Sequence, residues 1–362
     1  MEEKEYWYWL CNLKGIGVRK ITALLACFEH PETIYNAEKK YLSQLNVLSE
    51  GDIKELTSER NRANINESYG KLKEKGIRFF TNKDTEFPEG LKNIYDAPVC
   101  LYVRGDLPVR EKKTIAIVGA RNCSNYGKEI AFYFSKALSQ AGIQVVSGLA
   151  MGIDGYAHKG ALEGKEPTFG VMGCGIDICY PASHIELYMK MQNHGGIISE
   201  YGPGMPAKPG NFPMRNRIIS GLSDGILVVE AKEKSGSLIT ADMALEQGKD
   251  VFAIPGRICD NLSKGSNNLI KMGAELVNEP EDILKYYNVL CKDNMKNMIE
   301  DKKYLEPDEK LIFNGLSIIP KHINQIVAET NIGLLEVIQI LGILEKKNWI
   351  KQTTKNYYSI IL

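Results

Sequence analysis

Residues 114–129, Thr114-Ile-Ala-Ile-Val-Gly119-Ala-Arg121-Asn-Cys-Ser124-Asn-Tyr-Gly127-Lys128-Glu129, decide the fold class. A run of apolar and β-branched residues ends in a glycine, a short polar loop follows, and a helical segment opens behind Ser124. Apolar runs that end in glycine-rich loops and are followed by a helical segment recur at Gln144-Val-Val-Ser147-Gly148, Thr168-Phe-Gly-Val-Met-Gly173, Gly196-Ile-Ile-Ser-Glu200, Gly225-Ile-Leu-Val-Val-Glu230 and Val251-Phe-Ala-Ile-Pro-Gly256. Strands this apolar are covered on both faces, and their alternation with helices implies an α/β, mainly parallel sheet of the doubly wound type. Such a sheet gathers its ligand-binding loops at the C-terminal ends of its strands.

Outward from the sheet, residues 1–70 read as a helical domain. Within it Leu13-Lys-Gly15-Ile-Gly17 makes a tight turn between helices, either an ordinary αα-hairpin or a helix-hairpin-helix turn whose backbone N–H groups meet a phosphate. Residues 71–287 hold the sheet. The mixed-charge stretch 288–307 reads as a linker, and 308–362 as a small C-terminal domain of three short helices and a two-stranded ribbon at Trp349-Ile-Lys-Gln and Tyr357-Tyr-Ser-Ile, like a winged helix.

The 362 residues carry 45 Lys+Arg and 45 Asp+Glu, so no global field draws the chain to a polyanion, and any nucleic-acid site is a local patch. An acidic start, Met1-Glu-Glu-Lys-Glu, and the lack of a long apolar run point to a cytoplasmic protein without a membrane segment. Eight scattered cysteines without a C-x-x-C pair read as reduced, mostly buried thiols rather than zinc ligands, so no metal is expected.

The glycine loops fail the tests for nucleotide cofactors. A dinucleotide fingerprint needs glycine where Arg121 stands, and the second strand ends in Ser147-Gly148 instead of a ribose-binding acid. A P-loop needs a hydroxyl where Glu129 stands. What remains is an anion site built of free N–H groups, Ser124 as a helix cap and the Arg121 fork. Asp154 and His158 share a helix face, as an acid–base pair or as a structural one. The loop Lys208-Pro-Gly-Asn-Phe212-Pro-Met-Arg215-Asn216-Arg217 adds an aromatic face and leads into a helix expected to hold two arginines in its first turn. Cations there oppose the helix dipole, so the arginines point to an anionic ligand or to ion pairs with acids such as Glu200 or Glu230. Ser235-Gly236-Ser237-Leu-Ile-Thr240 opens a further helix suited to an anion. Several such loops on one sheet edge fit a linear polyphosphate better than a single nucleotide.

At these residues the chain resembles the DNA processing protein A (DprA, or Smf) family. The motifs carrying the resemblance are Ile117-Val-Gly-Ala-Arg121, Ser147-Gly-Leu-Ala-Met-Gly-Ile-Asp-Gly-Tyr-Ala-His158, Phe212-Pro-Met-Arg-Asn-Arg-Ile-Ile-Ser-Gly221, Ser235-Gly-Ser-Leu-Ile-Thr-Ala241, Ile254-Pro-Gly256 and Gly265-Ser-Asn-Asn-Leu-Ile-Lys-Met-Gly-Ala274. The resemblance implies an extended Rossmann-like domain that binds single-stranded DNA, forms a homodimer and loads the RecA recombinase in natural transformation, with no cofactor and no catalysis. It implies strand contacts from Arg121 and from Phe212, Arg215, Asn216 and Arg217, with Gly119, Ser124, Ser147, Gly148, Ser235, Gly236, Ser237 and Thr240 lining the same pocket. Pro209 stands near where relatives often carry a basic residue, and Lys208 beside it takes that place. The competing reading is a nucleotide phosphoribohydrolase on a similar sheet, but Met243 stands where its catalytic acid belongs. A pure interaction adaptor is the third.

Overall fold

Helices α1 (Glu3–Asn12), α2 (Val18–Phe28), α3 (Pro31–Asn36), α4 (Lys39–Leu42), α5 (Glu50–Ser58) and α6 (Arg62–Glu74) come first. Glu2 caps helix α1, the Glu5 carboxylate accepting its N–H at 2.7 Å, and acids in a first turn suit the dipole. Ser49 and Asp52 cap α5 in the same reciprocal way. The computed structural model describes residues 1–289, 305–317, 320–347 and 349–360, and the chain divides into two compact units, Met1–Ile283 and Leu284–Leu362.

The sheet and its helices follow as β1 (Arg78–Thr81), α7 (Glu89–Lys92), β2 (Cys100–Gly105), β3 (Thr114–Val118), α8 (Asn125–Gln140), β4 (Gln144–Ser147), α9 (Ile153–Leu162), β5 (Thr168–Met172), α10 (Ile185–Asn193), β6 (Gly195–Ser199), α11 (Asn211–Gly221), β7 (Gly225–Val228), α12 (Gly236–Glu246), β8 (Asp250–Ala253), α13 (Lys264–Lys271), β9 (Glu275–Leu276) and α14 (Pro280–Tyr286). Strand order is β1-β2-β6-β5-β4-β3-β7-β8-β9, parallel from β6 to β9, with β2 and β1 added antiparallel at one edge. Each of the six apolar runs holds a strand, and β3, β5 and β6 are buried along their whole length, as a sheet covered on both faces requires.

The period of two sorts the strand residues between two cores. Phe79, Tyr102 and Ile197 face a cluster with Trp7, Leu10, Leu24, Leu56 and Leu72 of the N-terminal helices and Tyr188 and Met191 of α10. Phe80, Leu101, Val103 and Ile198 point the other way, to Ile218 of α11 and Ala241 and Ala244 of α12. The N-terminal helices and the sheet therefore share one apolar core.

The second unit holds α15 (Pro307–Gly315), β10 (Lys321–His322), α16 (Ile323–Thr330), α17 (Leu334–Lys346), β11 (Ile350–Thr354) and β12 (Tyr357–Ile360). Strands β11 and β12 pair antiparallel as the expected ribbon, and β10 adds to β12. Ile312, Ile326, Val337, Leu341, Leu344 and Ile350 form its core. Most of the expected linker, residues 290–304, lies outside the described residues. Among the described residues no single helix is long and apolar enough to cross a membrane.

The expectation of mostly buried thiols is corrected. Of the described cysteines, all free, Cys100 and Cys174 are buried, Cys11, Cys123 and Cys179 are half-buried, and Cys27 and Cys259 are exposed, the latter on a surface loop.

Candidate nucleic-acid interface

The chain runs from β3 through β4 and β5 to β6 and then returns to β7 on the other side of β3, so the switch point of the sheet lies between β3 and β7. Ligands of doubly wound sheets enter at that crevice. Here the buried Glu230, just past β7, enters it instead. Its carboxylate accepts the Ser124 N–H at 2.9 Å and the Ser124 hydroxyl at 2.5 Å, while Ser124 Oγ caps α8 by accepting the Gly127 N–H at 3.0 Å. A Cβ on Gly127 would collide with that carboxylate and push it off Ser124. The start of α8 thus meets an anion that belongs to the chain itself, as the helix dipole favours.

The start of α9 repeats the arrangement. Asp154 is buried and accepts the N–H groups of Gly148 at 3.1 Å and Ala150 at 3.4 Å. Burial pushes its carboxyl up, and the Arg215 guanidinium pulls it back down. Arg215 is only 4% exposed and donates to the carbonyls of Gly148, at 2.8 Å, and Val171, and burial brings its guanidinium down to about 10. Ser147 turns inward too, its hydroxyl donating to the Ile117 carbonyl at 2.6 Å.

Asp154 and His158 do not pair. His158 Nδ1 lies 2.7 Å from the Thr168 hydroxyl, which itself donates to the Val145 carbonyl at 2.9 Å, so Nδ1 carries the proton. Nε2 is buried without a partner among the described residues, and burial holds the ring's pKa at about 3. This is a structural histidine.

The two arginines of α11 lie in its second turn, because the helix begins at Asn211 and takes Pro213 into its first turn, where a missing N–H costs nothing. At that depth in the helix the dipole no longer opposes their charge. Arg217 is 5% exposed, pairs with Glu200 at 2.7 Å and donates to the carbonyls of Asp96 at 2.9 Å and Met214 at 3.1 Å. Asn216, half-buried, donates to the Gly236 carbonyl at 3.4 Å and so joins α11 to the start of α12. There Ser235 caps the helix, its Oγ 2.8 Å from Ser237 Oγ, with Gly236 exposed and Ser237 and Thr240 buried.

Arg121 is different. It is exposed, and its guanidinium sits over the Phe212 ring, 5.3 Å from the centroid. Phe212 in turn packs on Gly173, where a Cβ would come within 2.9 Å of the ring, and lies 5.3 Å from the ring of Tyr180, tilted by 38°. Gly119 permits this approach of loops, since a Cβ there would strike Ile153 and the Glu230 backbone. Lys208 and Pro209 are exposed on the loop before α11. Of the residues singled out in the sequence, the structure brings Arg121 and Phe212 into contact and joins Asn216 to Gly236, while Ser147, Arg215 and Arg217 are engaged inside the fold. Sequence reasoning passed over Tyr180, although its place after a glycine-rich loop at a strand end was a usable signal. Among the described residues no group of three His, Cys, Asp or Glu side chains is placed to hold a metal ion.

Residues 78–288, more than half of the chain, match the family described as DNA recombination-mediator protein A. The chain is 43% identical over 214 residues to the DNA processing protein DprA of Bacillus subtilis, covering 59% of this chain and 72% of that one. It is similar to the X-ray structure of DprA from Streptococcus pneumoniae, with TM-score 0.63 and 37% identity over 79% of this chain and 98% of that one. It is also similar to DprA from Helicobacter pylori, whose structure describes a single-stranded DNA binding mode, with TM-score 0.53 and 29% identity over 58% of this chain and 95% of that one. With the motifs in order along a sheet of this topology, the chain belongs to the DNA recombination-mediator protein A family.

Proposed function

We propose that this protein binds single-stranded DNA along the C-terminal edge of its parallel sheet and acts as a recombination mediator without chemical turnover. The observation that carries the reading is Arg121, an exposed guanidinium held over an aromatic ring at the mouth of the site. A guanidinium forks onto phosphate, and aromatic faces take unpaired bases of any sequence. Lys208 extends the cationic edge, and the exposed start of α12 at Gly236 offers backbone N–H groups to a further phosphate. Arg215 and Arg217 hold the strand site in shape from within. The relative from Helicobacter pylori, with its single-stranded DNA binding mode, supports the same ligand.

The reading extends to a homodimer and to transfer of the strand to RecA, both supported by the family resemblance. The second unit, with its order of helix, short strand, two helices and ribbon, reads as a winged helix that serves a protein partner or modulates access. Asn331 to Glu345 holds two acids and no base, so a DNA groove would repel it along most of its length. The test of the central reading is a salt titration of fluorescent oligonucleotide binding, single-stranded against duplex. Tighter binding to single strands is expected, with a slope of log affinity on log salt of about −0.7 per phosphate neutralised. Equal affinity for the two forms would overturn it.

A further inference from the structure

Phe212 is the aromatic that the sequence offers to a base, yet its ring is hemmed in. Gly173 lies against it, the guanidinium groups of Arg121 and Arg215 sit 5.3 and 5.9 Å from its centroid, and Tyr180 lies at its side, so the residue is half-buried. Tyr180 is 46% exposed, and its hydroxyl makes no hydrogen bond among the described residues. One face of the ring packs on Phe212, and the other leaves apolar surface in water.

The loop beneath it is built to keep the ring in place. Gly175 N–H donates to the Met205 carbonyl at 2.7 Å, Ile176 N–H to that of Tyr201 at 3.3 Å, and Gly204 N–H to the Asp177 carboxylate at 2.8 Å. The Cys174 thiol donates to the Ile178 carbonyl at 3.3 Å, and the Tyr188 hydroxyl closes on the Ile176 carbonyl at 2.5 Å. The loop after β5 is thereby tied to the loop after β6.

We propose that Tyr180 is the outer stacking surface of the strand site, taking a nucleobase of single-stranded DNA on its open face, with Phe212 as the wedge that supports it and seats Arg121. This rests on the single-strand reading given above. Stacking is indifferent to the identity of the base and makes no phosphate contact, so Tyr180 contributes affinity without salt dependence.

The experiment compares the full chain with Tyr180→Ala, Tyr180→Phe and Tyr180→Trp, on a thymidine oligonucleotide and on one of equal length with tetrahydrofuran in place of its central bases. Thermal melting checks each fold. Tyr180→Ala is expected to weaken thymidine binding about tenfold or more with an unchanged salt slope, and to bind the base-free strand as the wild type does. Tyr180→Phe and Tyr180→Trp are expected to stay within about twofold of wild type, because the stacking face remains. A Tyr180→Ala affinity for thymidine within twofold of wild type overturns the stacking role, as does an equal loss on both strands or a loss in Tyr180→Phe as large as in Tyr180→Ala. A wild type that binds neither strand overturns the functional reading itself and the stacking role with it, a result distinct from those.

Discussion

The Glu230 carboxylate grips Ser124 at two points, the backbone N–H at 2.9 Å and the hydroxyl at 2.5 Å, and the Glu230 carbonyl takes the Ala120 N–H at 2.7 Å. Arg121 lies between those anchors. Replacing the acid with Glu230→Ala removes both acceptors and leaves the Ser124 N–H without its partner, and hydrogen bonds to charged groups contribute about 1.5–3 kcal/mol. A loss of stability of that size is expected in urea unfolding, together with weaker strand binding. Unchanged stability would show that the carboxylate does not hold this loop.

Arg121→Ala and Arg217→Ala are expected to fail in different ways. Removing the exposed Arg121 leaves the melting temperature in place but weakens strand binding and flattens the salt slope by about 0.7. Removing Arg217 leaves the partly buried Glu200, its side chain 12% exposed, without its partner, at a cost of up to about 3 kcal/mol in unfolding. Melting curves and salt titrations of both variants check this, and a stable Arg217→Ala with only a reduced slope would move Arg217 into the strand site.

His158 makes the fold sensitive to acid. Its folded pKa of about 3 lies below the ordinary value of 6.5, so the unfolded chain binds the extra proton between those limits. Its contribution is therefore complete above pH 6.5 and is lost as pH falls toward 3, at up to about 1.4 kcal/mol per pH unit. The midpoint of urea unfolding followed from pH 7.5 to 4.5 is expected to drop, and to drop less steeply in His158→Asn. Parallel curves for the two proteins would exclude the histidine as the cause.

Gly173→Ala places a methyl 2.9 Å from the Phe212 ring. Overpacking of this kind costs about 1–3 kcal/mol or moves the ring. Either outcome displaces the support of Arg121, so a several-fold loss of oligonucleotide affinity is expected, larger than the loss from Gly210→Ala on the open part of the same rim.

Ending the chain after Asn288 keeps α14 and removes the second unit's own core. Strand affinity is expected to stay within about threefold of the full chain by fluorescence anisotropy. A folded truncation that lost most of its affinity would place the DNA site in the C-terminal module.

The sheet was legible because a strand buried on both faces must be apolar along its length, and Thr114–Val118 and Thr168–Met172 are. The edge pair β1 and β2 was harder to read, since Phe79 and Phe80 face different cores and Lys83 and Asp84 soon break the run. In the site, residue type was legible but direction was not. Arg121, Arg215 and Arg217 are the same residue in the sequence, and only packing turns one to solvent and buries two against carbonyls and Glu200. The start of α8 looked open to an external anion because its occupant, Glu230, is more than a hundred residues away along the chain. Tyr180 escaped because exposure is a property of the folded loop, and the nearest cue was its neighbourhood to Gly173 and Gly175.

On the proposed single-strand function, the ties between the two loops at the strand ends, Gly175 to Met205 and Gly204 to Asp177, bear on which strands would be captured most readily. A receiver already fixed in shape has little order left to lose on association, so the entropy lost in capture falls on the nucleic acid. Runs of adenine are stacked before they arrive and must give up that stacking to lie on a foreign ring, whereas runs of thymine are supple and give up little. A protein that touches no base edge would then still favour pyrimidine tracts, a bias that comes from the stiffness of the guest rather than from anything the host reads.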